Sequence, residues 1–130
     1  MATGGSNWSN TLLCRRRDFG GVACVALTGE LDLATVSTLS GQMNAVAETE
    51  DHLILDLGEL RYIDSTGIKA MLDAHRAFAR RGRRLALAAV SAMVLKILRV
   101  VGVDKMIPIF PTVDAALRDL GGDGTSTRAP

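Results

Sequence analysis

The chain has 130 residues, 48% of them hydrophobic, 4% aromatic, and a formal net charge of +1. That length fits one domain with an aliphatic core. The near-neutral charge gives no general attraction to nucleic acid or anionic membrane, and so few aromatics leave little material for base stacking. No apolar run approaches the ~20 residues of a membrane span, and the first residues lack the basic and apolar regions of a signal peptide, so the expectation is a soluble cytoplasmic protein.

Residues 1–10 and 121–130 are rich in Gly, Ser and Thr and read as tails flanking a domain over 11–120. Thr11–Arg16 reads as a first strand, Asp18, Gly20 and Gly21 as a turn, and Val22–Thr28 as a second strand. A hairpin turning near Phe19 would set Cys14 opposite Cys24, where a cross-strand disulfide could form. Two small apolar residues in adjacent strands is the simpler account. Gly29–Asp32 closes the second strand as a loop. Ala34–Ala47 follows as a helix with Val36, Leu39, Met43 and Val46 on one stripe.

His52–Leu57 is a short apolar run suited to a central strand covered on both faces. Gly58–Asp64 reads as a loop. Ser65–Arg80 reads as a helix lined by Ile68, Met71, Leu72, His75 and Phe78, with Gly82 as its stop. Leu85–Val90 is the next strand. Ser91 offers an N-cap for a third helix with Val94, Ile97, Leu98 and Val101 inward and Gly102 at its end. This helix is so apolar that one face could remain exposed as a partner or homodimer surface. Ile107–Phe110 is a short strand, and Thr112 caps a last helix carrying Val113, Ala116, Leu117 and Leu120. The order β-β-α-β-α-β-α-β-α predicts an α/β domain with a mainly parallel sheet and an antiparallel edge from the first hairpin.

The most informative stretch is Leu53–Leu72, LILDLGELRYIDSTGIKAML. A buried strand leads through Asp64-Ser65-Thr66-Gly67 into a helix, whose start offers unpaired N–H groups and a partial positive charge. The plain structural reading is that Asp64 or Ser65 caps the helix and Gly67 permits close packing.

The array Gly29-Glu30-Leu31-Asp32, an amphipathic helix, an apolar strand, then Tyr62-Ile63-Asp64-Ser65-Thr66-Gly67 resembles the STAS family, the sulfate transporter and anti-sigma factor antagonist domains, from about Leu12 to Leu120. The resemblance implies a small sheet with helices mostly on one face. It implies a stand-alone bacterial anti-sigma factor antagonist, a protein-binding module rather than an enzyme. The unmodified antagonist binds an anti-sigma factor that is also a serine kinase, and so frees a sigma factor. Phosphorylation of the motif serine, Ser65 here, ends binding, and a phosphatase restores it. Thr66 is the alternative target. Lys69 stands where many relatives carry a small residue. A phosphate at Ser65 would meet free helix N–H groups yet crowd Asp64, and also Glu30 and Asp32 if their loop lies at the same end of the sheet. The partner surface implied comprises Gly29, Glu30, Asp32, Asp64, Ser65, Thr66, Gly67, Lys69 and Asp73. The other role open to the family is an accessory subunit of a transport or stress-sensing complex. The stand-alone chain, with no membrane segment or sensor domain attached, favours the antagonist.

No catalytic site, metal or cofactor is expected. Asp32 and Asp64 as a pair could suggest acid/base or Mg²⁺ chemistry, but ordering the loop and positioning Ser65 are the simpler roles. Ile63 occupies the place that a hydrolase elbow reserves for glycine, and His75 lies about three turns from Ser65. His52 and His75 show no metal-ligand pattern, and no glycine-rich nucleotide cradle occurs. Arg15–Arg17 and the arginines at 80, 81, 83 and 84 read as solvated turns and strand ends, or as contacts to an acidic partner.

Overall fold

The computed structural model describes residues 11–49 and 51–122; most of both expected tails, 1–10 and 123–130, lies outside them. Strands β1 (Leu12–Asp18) and β2 (Val22–Leu31) form the antiparallel hairpin. Its turn centres on Gly20 and Gly21, both at positive φ (57° and 87°), and is closed by the Phe19 N–H donating to the Val22 carbonyl at 2.8 Å. Two glycines suit a tight hairpin turn better than Phe19 does. That shift from the expected centre sets Cys14 opposite Leu27 and Cys24 opposite Arg17. Cys14 packs on the main core and Cys24 in the smaller core across the sheet. The cross-strand disulfide is therefore excluded in this register, and both cysteines are free.

Helix α1 (Val36–Thr49) returns the chain to β3 (His52–Ile63), which pairs parallel to β2. Helix α2 (Ser65–Arg80) leads to β4 (Leu85–Ala88). Helix α3 (Ala92–Val101) and a 3₁₀ turn at Val103–Lys105 precede β5 (Ile109–Phe110), and α4 (Val113–Leu120) ends the domain. The sheet runs β1-β2-β3-β4-β5, parallel from β2 onward. Helices α1, α2 and α3 cover one face over Val25, Leu27, Leu53, Leu55 and Leu87. Helix α4 covers the other with Ala116, Leu117 and Leu120 against Val22, Cys24 and Ile54. Each of these leucines, buried from solvent, stabilises the fold by about 1.5–3 kcal/mol relative to exposure.

Two expected loops prove to be strand. Gly29–Leu31 continues β2, and Gly58–Ile63 continues β3 beyond the last residues that pair with β4, Asp56 with Ala88. The register between β2 and β3 slips twice, between Ala26 and Thr28 and between Gly29 and Glu30, each time with an extra β3 residue. These bulges bury Leu57, Leu60 and Ile63, every third residue. The two-residue alternation that marks a strand is thereby lost.

Other boundaries differ for local reasons. Ser91 makes no side-chain capping bond, whereas Thr112 accepts from the Ala115 N–H at 3.0 Å. Val94 and Leu98 point into the core, but Val101 is 55% exposed beside Val100 at 80%. The chain turns at Gly102, and Val103 and Ile107 fill the core there instead. At the opposite end, His52 Nδ1 accepts the Arg84 N–H at 3.0 Å. Burial and the Arg83 and Arg84 charges hold the His52 pKa below its usual value, consistent with a structural role. Arg16 pairs with Asp18 and Asp51, Arg17 lies over the Phe19 ring, and Arg84 pairs with Asp119, so these arginines tie strand ends together.

Burial, with the Asp56 charge, pushes the Cys24 thiol up to about 11, and burial also raises Cys14. A raised pKa means less thiolate and slower reaction. A thiol reagent at pH 8 is expected to label half-buried Cys14 first and Cys24 only after denaturation. A Cys14–Cys24 bond formed by oxidising the native protein, seen by intact mass, would contradict the register.

Candidate functional site

Strands β2 and β3 end together, with Leu31 opposite Ile63. One residue on, the Asp64 N–H donates to the Leu31 carbonyl at 3.2 Å, fixing the start of α2 to the end of β2. Asp64 is the N-cap. Its Oδ1 accepts the Thr66 N–H at 2.9 Å and the Gly67 N–H at 3.2 Å, while its carbonyl accepts the Ile68 N–H. Ser65 is left exposed as the first helical residue, and its side chain is not part of the cap. The amides expected to await a phosphate are thus already held by a carboxylate.

Gly67 explains how α2 comes so close. A Cβ there would lie 2.6 Å and 2.8 Å from side-chain carbons of Leu31 and 3.1 Å from Ile63. Gly29 sits at φ +118°, where a Cβ would collide with the Thr11 carbonyl. Its role is to let β1 start beside β2, and it offers no side chain to a partner.

Asp32 does order the connection to α1. Its Oδ1 accepts the Ala34 and Thr35 N–H groups at 3.0 Å and 3.1 Å. Buried Thr35, overlooked in the sequence, completes this turn: its hydroxyl accepts the Asp32 N–H at 3.0 Å and donates to the Glu30 carbonyl at 2.8 Å. The D-x-x-T spacing of a reciprocal cap was its readable signal.

Ser65 stands on a ridge between two hollows. On one side a shallow depression of about 720 Å³ gathers Glu30, Asp32 and Asp64 with Arg61, and Leu33 and Tyr62 line it too, 75% and 49% exposed. On the other side a groove of about 610 Å³ runs between α1 and α2, with Thr66, Lys69 and Asp73 along one wall and Val36, Ser40 and Asn44 along the other. Asp64 lines the first hollow and Thr66 the second. The structure thus brings Glu30, Asp32, Asp64, Ser65 and Thr66 to one end of the sheet, while Lys69 and Asp73 continue one and two turns along α2. Arg61, Tyr62 and Leu33 belong to this surface as well; Arg61 and Tyr62 were hidden in the segment read as loop.

Lys69 Nζ lies 2.6 Å from the Asp73 carboxylate, which also takes Arg76 at 3.3 Å. The Lys69 hydrogen bond holds the Asp73 pKa below its usual value. Among the described residues no group of three His, Cys, Asp or Glu is arranged to hold a metal ion, and no helix is long and apolar enough to cross a membrane.

Comparison with known proteins places this surface in a family. A profile of the STAS domain matches residues 16–116. The chain belongs to the STAS domain family. An anti-sigma F factor antagonist of Paenibacillus polymyxa is 30% identical over 102 residues, 77% of this chain and 87% of that protein. The anti-sigma-F factor antagonist RsfB of Mycobacterium tuberculosis is 27% identical over 81% of this chain and 86% of its own. In structure, this STAS domain superposes on an anti-sigma factor antagonist from Mycobacterium paratuberculosis with a TM-score of 0.79 (24% identity, 86% of this chain and 96% of that one). It superposes on unphosphorylated SpoIIAA with a TM-score of 0.68 (19% identity, 85% and 97%). These likenesses establish the fold, with helices mostly on one face as expected.

Substitutions at two positions probe how the STAS domain builds this surface. Asp64→Ala is expected to cost about 1 kcal/mol of unfolding free energy and Asp64→Asn much less, because asparagine also caps. Gly67→Ala is expected to cost about 2 kcal/mol through overpacking against Leu31. Urea unfolding of each variant measures both.

Proposed function

We propose that this STAS domain is an anti-sigma factor antagonist, a protein-binding switch without catalytic activity of its own, acting in the cytoplasm. Unmodified, it binds an anti-sigma factor that is also a serine kinase, and the sigma factor is released. Phosphorylation of Ser65 ends that binding, and a phosphatase restores it. Thr66, half-buried in the groove wall, is the less accessible hydroxyl.

The observation that carries the reading is the position of Ser65: exposed, on the ridge between two hollows, and immediately after a carboxylate cap. A kinase can reach such a hydroxyl without unfolding anything. The phosphate adds a charge of about −1.5 to −2. Asp64 already holds the helix amides, so that charge stays on the surface beside Asp64, with Glu30 and Asp32 across the depression. A partner that covers the ridge would have to desolvate it or oppose it with cations, and like charges brought together across an interface cost several kcal/mol. The cap does not involve the Ser65 side chain, so the domain keeps its fold when modified. SpoIIAA, solved in phosphorylated form as well, shares this fold in that form with a TM-score of 0.64.

The curated relatives matched over most of their own length are anti-sigma factor antagonists, which supports the antagonist role over an accessory subunit of a transport system.

Incubation with cognate anti-sigma kinase and ATP, followed by peptide mass mapping, is expected to place one phosphate on Ser65. Ser65→Ala should abolish it. In a binding titration Ser65→Glu is expected to weaken the anti-sigma complex at least about tenfold, or about 1.4 kcal/mol, while its urea midpoint stays near that of the parent. Equal affinity of Ser65→Glu and parent would refute the switch.

A further inference from the structure

We propose that Lys69 is the phosphate-binding residue of this switch: once Ser65 is phosphorylated, the Lys69 ammonium leaves Asp73 and pairs with the phosphate. The inference rests on the reading of Ser65 as the modified residue and adds to it how the charge is received.

Ser65, Lys69 and Asp73 follow one another at four-residue spacing along α2. Side chains four apart on a helix are neighbours, with about 5–6 Å between Cβ atoms. Lys69 therefore sits between two anion positions and can serve one at a time. Without the phosphate it serves Asp73, at 2.6 Å. Both side chains are exposed, 77% and 53%, so neither is locked in place.

Three features make the phosphate the stronger claimant. It carries up to two negative charges against one. It lies N-terminal to the lysine, the favoured order for an acid–lysine pair at this spacing, whereas the Lys69–Asp73 pair has the reverse order. Asp73 also keeps Arg76 at 3.3 Å and is not stranded when Lys69 departs.

The remaining groups do not compete. The Thr66 and Gly67 amides are occupied by the Asp64 carboxylate and the Ile68 amide by its carbonyl. Arg61 lies in the depression among Glu30, Asp32 and Asp64. The facing wall of α1 contributes Val36, Ser40 and Asn44, none charged. Arg80 and Arg81 line the same groove but lie about 22 Å further along the helix axis. Exchange of Lys69 uncovers Asp73 on the groove wall, so one modification alters the charge of α2 at two places about 12 Å apart.

The test uses the full chain with phosphoserine placed at position 65 during translation, so no kinase is needed, at low ionic strength. The phosphate is titrated by ³¹P NMR in the parent, Lys69→Met and Lys69→Arg, and the Asp73 carboxyl ¹³C shift is read at about pH 7.5, where the phosphate is a dianion. The second phosphate ionisation is expected about 0.3 pH unit lower in the parent and Lys69→Arg than in Lys69→Met. Phosphoserine should move the Asp73 carboxyl shift of the parent toward its value in Lys69→Met. Identical phosphate titrations in all three proteins, or an Asp73 shift indifferent to phosphoserine in the parent, would overturn the exchange while leaving Ser65 as the kinase target. Failure of kinases to modify Ser65 in the unaltered chain would instead remove the functional reading.

Discussion

The Asp64 cap is the interaction on which the surface depends. Its amide is tied to the end of β2, its carboxylate to the first turn of α2, and its carbonyl to Ile68. One residue thus joins the strand that carries Glu30 to the helix that carries Ser65, Lys69 and Asp73. The Gly67 contact with Leu31 and Ile63 reinforces the same junction. The depression and the groove flank a common ridge whose crest is one hydroxyl.

The cap also settles where a new negative charge can go. A helix start with open amides can absorb a phosphate, because its N–H groups and dipole compensate the charge. Here a carboxylate already occupies that place. Added charge remains outward, toward whatever covers the ridge and toward the nearest mobile cation. On the proposed reading of Ser65, a structural cap leaves added charge less compensated than an uncapped helix start would.

Much of this was legible in the sequence, and the exceptions have physical causes. Helix α2 was found to the residue because D-S-T-G supplies a cap and Ile68, Met71 and Phe78 keep helical spacing. The segment Gly58–Ile63 was misread because two bulges change the burial period of β3 from two to three, a feature set by pairing with β2 and invisible along one strand. With it went Arg61 and Tyr62. The cysteine pairing failed by three positions of register, which hinged on whether Phe19 or the two glycines formed the turn. Val101 was assigned to the core on periodicity alone, and periodicity does not say where the core ends.

The overhang of β3 has a broader consequence. Beyond Asp56 the strand no longer pairs with β4 but stays paired with β2, so the end that carries the ridge runs about 17 Å past the β4 edge of the sheet. Glu59, Arg61 and Tyr62 there face solvent and make little contribution to the hydrophobic interior. Substitutions at such positions can reshape this end of the domain without disturbing folding, so the scaffold and the surface it carries are free to change independently.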